Sequence, residues 1–185
     1  MSPKTIFIRK LVLTALCGAI LNAVKFCLMY IPNVEAVTLL TVVFTYAFGL
    51  SVSFPATLVF CVIEGFLWGF NPSWLIAYFI HWPFLSLVAA FCKKLRLSFP
   101  PLLALVVAFV TALFGLQSTF VYFLTGGAVG TPGWFSSFRT VYLAGTAFYI
   151  TQTVCAFVSV TFLFSPLRKL LTSLGDSYFG KKRPL

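Results

Sequence analysis

The sequence predicts an all-α integral membrane protein: six transmembrane helices in a compact bundle, with both the N and C termini in the cytoplasm. Its composition is the first reason. Of 185 residues, 61% are hydrophobic and 9% charged, and the mean hydropathy is +1.04; soluble domains carry about a quarter charged residues. The second is punctuation, because the apolar pattern breaks at "IPN" (31–33), "GLSVSFP" (49–55), "FNPS" (70–73), "KKLRLSFPP" (93–101), "TGGAVGTPGW" (125–134) and "SPLRK" (165–169). The third is the placement of charge. Along the resulting zigzag, eleven basic residues share the N-terminal side (Lys4, Arg9, Lys10, Lys93, Lys94, Arg96, Arg168, Lys169, Lys181, Lys182 and Arg183), against Lys25 and Arg139 on the other. The positive-inside rule assigns the crowded side to the cytoplasm.

A bilayer span takes roughly 20 apolar residues, so a single polytopic domain over 1–185 is expected, with no room for a soluble one. The first span, near 10–30, follows "KTIFIRK" and resembles a signal peptide. Its apolar run is longer than such a signal needs and no small-x-small cleavage site follows, so it is expected to stay attached. Within it Ala15, Ala19 and Ala23 repeat every four residues, a small-residue face that lets another helix approach closely, whether a neighbour in the bundle or a separate protein. Spans two and three, near 35–50 and 55–70, are short, their ends tucked against other helices or marked by re-entrant loops. Spans four, five and six fall near 73–92, 100–124 and 138–164.

The net charge of +10 lies at span ends and not on a soluble amphipathic face, which argues against a nucleic-acid partner. Cys17, Cys27, Cys61, Cys92 and Cys155 lack metal-ligand spacing and read as packed free thiols. No phosphate loop, HExxH or GxSxG motif occurs, so neither direct use of ATP through that loop nor a familiar catalytic or metal constellation is expected.

With the orientation set, the embedded ionisable groups gather toward the outer leaflet. Glu35 opens span two from outside, Glu64 lies about 9 Å below the outer end of span three, and His81 about 12 Å below that of span four. Such groups cost roughly 2.5–3.5 kcal/mol in hydrocarbon and tend to mark sites. Lys25 and Arg139 lie close enough to the interface to snorkel, and Glu35 also fits a solvated charge at a helix start; Glu64 has no such alternative. Trp74, Tyr78 and Trp82 recur at i, i+4 and i+8 with His81 beside them, and Trp68 lies one turn outside Glu64. Arg139, Tyr142, Thr146, Tyr149 and Thr153 form a stripe on the sixth span. An aromatic pocket with a few placed charges suits a small, water-soluble, partly planar ligand. The glycine-rich 125–133 segment reads as a lid over it or as a plain connector.

The chain resembles the substrate-binding S components of energy-coupling factor (ECF) vitamin transporters, in the subgroup of the PNVE type. The likeness rests on the alanine ladder, on "PNVEAVTLLTVVFTYAFG" (32–49), on "EGFLWGF" (64–70) and on "AGTAFYITQTVCAFVSVTFLFSPL" (144–167). It implies a non-enzymatic binding subunit of the bacterial cytoplasmic membrane, without a cofactor or metal, that captures a vitamin or vitamin precursor from outside. Ala15, Ala19 and Ala23 would dock on a transmembrane coupling subunit carried by two cytoplasmic ATPases. Where such members carry an acidic residue, a histidine and an asparagine in the last span, the corresponding segment here holds Ala147, Phe148, Tyr149, Gln152 and Ala156. The expected pocket residues are Asn22, Lys25, Asn33, Glu35, Glu64, Trp68, Tyr78, His81, Tyr142 and Tyr149, with Lys25 paired to Glu35 or to an acidic group of the ligand. The alternatives are an intramembrane enzyme using His81 and Glu64 on a lipid or isoprenoid, and a ligand-free structural subunit.

Overall fold

The computed structural model describes residues 2–31 and 34–180. Within them the chain forms helices α1 (Pro3–Leu28), α2 (Val37–Phe48), α3 (Leu50–Trp68), α4 (Pro72–Lys94), α5 (Pro100–Thr125), α6 (Trp134–Ala144) and α7 (Thr146–Tyr178). Five of them, α1, α3, α4, α5 and α7, are long and apolar enough to cross a membrane; α2 is apolar but shorter. The chain is thus an α-helical, multi-pass membrane protein.

Local chemistry sets three of the seven helix starts among the described residues. Ser2 caps α1 by accepting from Thr5 N–H at 3.2 Å, and Asn71 caps α4 by accepting from Trp74 N–H at 3.2 Å. Pro3, Pro72 and Pro100 each enter a first turn, where the missing N–H has no intrahelical partner to lose. At the far end of α4, Lys93 and Lys94 occupy the last turn, where the helix dipole favours cations.

At 12 residues, α2 is only about 18 Å long, yet nine of those residues are buried. It packs against α1, α3, α4 and α7 and so forms the centre of the bundle. Gly49 turns α2 directly into α3 at φ +85° and ψ 168°, a backbone region essentially confined to glycine. The break expected over 49–55 therefore shrinks to one residue, and Pro55 lies inside α3. The core around α2 includes Leu21, Val42, Val43, Val52, Phe60, Leu85, Leu103, Val107, Val160 and Phe164, while Phe7, Phe66, Phe109 and Phe162 point outward, as lipid-facing side chains do.

The segment expected as one span over 138–164 is divided. Helix α6 ends at Ala144 and α7 starts at Thr146, with Gly145 between them. The Tyr149 ring explains this locally: a Cβ on Gly145 would lie 2.7 Å from it, and one on Gly115 of α5 would lie 2.5 Å from it. Two glycines therefore let the ring wedge between α5 and the α6–α7 junction. The other end of α7 also departs from expectation, running through Pro166 to Tyr178 because Leu167 and Leu171 still pack on the core and Gly175 lies against Phe48.

Candidate functional site at the α1–α3–α4 mouth

Lys25 is the hub. Near the end of α1, its ammonium donates to Glu64 Oε2 of α3 and to Tyr78 Oη of α4 at 3.1 Å. It also sits 4.8 Å from the Tyr78 ring centroid, 5.0 Å from Trp74 and 5.8 Å from Phe60, all within cation–π range. The Glu64 side chain is 1% exposed and that of Lys25 24%. A carboxylate so buried requires a partner, and the α1–α3 packing supplies one. Of the two partners expected for Lys25, Glu35 or an acidic group of the ligand, Glu35 is not within ion-pair distance: the carboxylate Lys25 meets is Glu64, and Glu35 accepts from Thr38 N–H at 2.9 Å and from the Thr38 hydroxyl at the start of α2.

Beside this hub lies a cavity of about 250 Å³, lined by Lys25, Glu35, Trp68, Tyr78, Trp82 and Gln152, with Leu28, Met29, Ile31, Val34 and Val37. Four expected site residues thus converge there: Lys25, Glu35, Trp68 and Tyr78. Glu64 joins them through its bond to Lys25. Among the described residues Glu35 has no cation within ion-pair distance; its hydrogen bonds go to Thr38, and the Lys25 charge reaches it only through space. Trp82 is buried, and its indole N–H has no acceptor among the described residues.

No family model, curated protein or solved structure matches this chain. The mouth brings together an ammonium, a carboxylate, an amide and aromatic rings, Tyr78 and Trp82 meeting edge to face, around a small space.

The other expected residues fall elsewhere. Asn33 lies outside the described residues. Asn22 is buried one turn below Lys25 and spends its amide N–H on Gly18 O at 2.9 Å. His81 does not face the mouth, because a step of three residues turns a helix about 60° away from Tyr78. It lines a separate cavity of about 640 Å³ between α4, α5 and α6, with Gln117, Phe84, Trp134, Phe135 and Phe138. No hydrogen bond joins His81 to Glu64 among the described residues. Tyr142 and Tyr149 stack on each other with centroids 5.6 Å apart, and Tyr149 Oη is 3.3 Å from Thr119 Oγ1. Tyr149 is a packing wedge, and Gly145 ends the polar stripe expected along one helix. The 125–133 connector contributes no residue to the mouth cavity.

Gln152 and Trp82 are the residues sequence reasoning left out of the site. Trp82 was visible as the third member of the Trp74–Tyr78–Trp82 stripe. Gln152 carried a weaker signal, an amide in a helix of membrane length, which is costly in hydrocarbon unless it meets polar surroundings.

Proposed function

We propose that the protein is the substrate-binding S component of an ECF-type importer, capturing a small water-soluble vitamin or precursor in an outward-facing pocket. It delivers that ligand with a separate module, a transmembrane coupling subunit on two cytoplasmic ATPases. In this reading α2 counts as a sixth membrane segment, both termini are cytoplasmic, and the membrane is the bacterial cytoplasmic one. The observation that carries it is a small cavity whose wall holds Lys25, backed by its bond to Glu64, together with a second carboxylate, Glu35, that is outside ion-pair distance of any described cation.

The chemistry of the mouth narrows the ligand. At about 250 Å³, the space is just under the range of drug-sized sites and suits a small ring system. Trp68, Tyr78 and Trp82 provide faces for stacking. Glu35 selects an edge bearing N–H or positive charge, the Lys25 ammonium an acceptor, and Gln152 either. On α1, Ala15, Ala19 and Ala23 all lie on the exposed surface, which supports their use as a face for the coupling subunit.

A ligand-free structural subunit draws on the same ion pair, since a buried charge paired within the bundle also fixes helix packing. The cavity, and a Glu35 carboxylate on its wall that forms no ion pair among the described residues, favour the binding subunit. Thermal unfolding of the purified protein against a panel of water-soluble vitamins separates the two: one compound raising the transition temperature in wild type, and failing to do so in Glu35→Gln, supports binding. No shift with any compound supports the structural role.

A further inference from the structure

We propose that the opposite end of the bundle holds a binding site for the headgroup of an anionic phospholipid, built on Arg168 and Lys169 of α7. A cavity of about 470 Å³ is lined there by Ser165, Arg168, Lys169 and Thr172, two cations and two hydroxyls. The Arg168 guanidinium is already oriented. It lies 5.4 Å from the Tyr46 ring centroid and 5.8 Å from that of Phe164, and donates to Ser98 Oγ at 3.0 Å. That is its one hydrogen bond among the described residues, so of the five donors a guanidinium carries most remain for a phosphate.

The charge around this cavity is one-sided. Lys94 ends α4 and Arg96 follows it, two residues before Ser98. The sequence contains three carboxylate side chains in all, and none of them lines this cavity. Glu35 and Glu64 belong to the mouth. Asp176 lies about 10–12 Å farther along α7 from Lys169 and Arg168 and lines a different cavity with Lys10 and Phe48. All four lining residues lie on α7, and basic clusters at the membrane surface attract anionic headgroups.

The face of α7 points to a lipid and not to free phosphate. Val158, Phe162, Ser165, Lys169 and Thr172 follow one another at spacings of four, three, four and three, and so share one side of the helix. Val158 and Phe162 are exposed, Phe162 by 72%. An acyl chain lies against the apolar half of this stripe while its phosphate meets the basic half. This site stands apart from the ligand mouth and does not depend on its role.

The test is competitive lipid retention. The full-length protein is delipidated in detergent, incubated with equal amounts of phosphatidylglycerol and phosphatidylcholine, and the retained lipid is read by native mass spectrometry. Wild type is expected to retain phosphatidylglycerol preferentially. Lys169→Gln, an exposed change, and Arg168→Gln should each lower that preference about fivefold, the equivalent of about 1 kcal/mol per basic residue near an anionic surface. Equal retention of the two lipids, or an unchanged preference in Lys169→Gln, overturns the site. If inorganic phosphate in the same range displaces phosphatidylglycerol, the pocket binds the anion alone and the lipid assignment falls.

Discussion

Lys25 and Glu64, 39 residues apart in sequence, meet as an ion pair between α1 and α3, with the hydroxyl of Tyr78 as a third partner. The pair places a charge of each sign where α1, α3 and α4 meet beside the mouth cavity. It accounts for why an apolar helix tolerates Lys25, and it makes the cavity polar on one wall and aromatic on another.

Breaking this pair from one side should be costly. Glu64→Leu leaves a half-buried ammonium without its counter-charge, and the loss of one partner of a buried pair is worth about 3 kcal/mol or more. The double change Lys25→Met with Glu64→Leu is expected to recover over half of that loss. Unfolding of the four proteins of this cycle in one detergent measures it; additive losses would show that the pair is not coupled.

Much of the fold was legible because its signals are local. Ser2, Asn71 and the prolines at 3, 72 and 100 mark helix starts by chemistry that needs no neighbour, and the apolar runs between them are of membrane length. What escaped was decided between helices. The choice of Glu64 over Glu35 as the partner of Lys25 depends on how α1 packs against α3. The division at Gly145 follows from the Tyr149 ring resting on Gly115, and a lone glycine in an apolar run carries no trace of that. The placement of His81 away from Tyr78 was partly foreseeable, since three residues of helix do not restore the same direction. That the mouth lay on its far side was not.

The wedge predicts a sharp contrast between neighbours. Gly115→Ala would set a methyl group 2.5 Å from the Tyr149 ring, an overpacking worth about 1–3 kcal/mol. Tyr149→Phe keeps the ring and gives up a hydroxyl contact of 3.3 Å, which should cost about 1 kcal/mol or less. Ligand affinity should be unchanged in Tyr149→Phe, measured by titration with the compound that stabilises wild type.

Gly49 makes a backbone prediction. With φ at +85° and ψ at 168°, any L side chain there is strained by about 1–3 kcal/mol. No atom lies within 4 Å of the position a Cβ would take, so the expected loss of stability in Gly49→Ala is conformational and not steric. Gly49→Ala and Gly49→Val should therefore both be less stable than wild type by similar amounts in thermal unfolding.

Within the mouth, Gln152→Ala and Trp82→Phe test the two cavity residues that the expected site did not include. Each removes a polar group that lines or borders the cavity, and loss of one hydrogen bond to a ligand typically costs about 1 kcal/mol. Affinity should fall roughly fivefold in each, while His81→Ala, in the separate cavity, should bind as wild type. A loss of affinity in His81→Ala and not in Gln152→Ala would move the binding site to the α4–α5–α6 cavity.

The most direct measurement is mass spectrometry of the small molecules released from the protein purified without added ligand, compared with those from Lys25→Ala and Glu35→Gln. A single vitamin-like compound, released from wild type in near-stoichiometric amount and absent from both variants, is the predicted result. No small molecule in wild type, or the same compound at the same level in all three, would contradict a ligand site at the Lys25–Glu64 mouth.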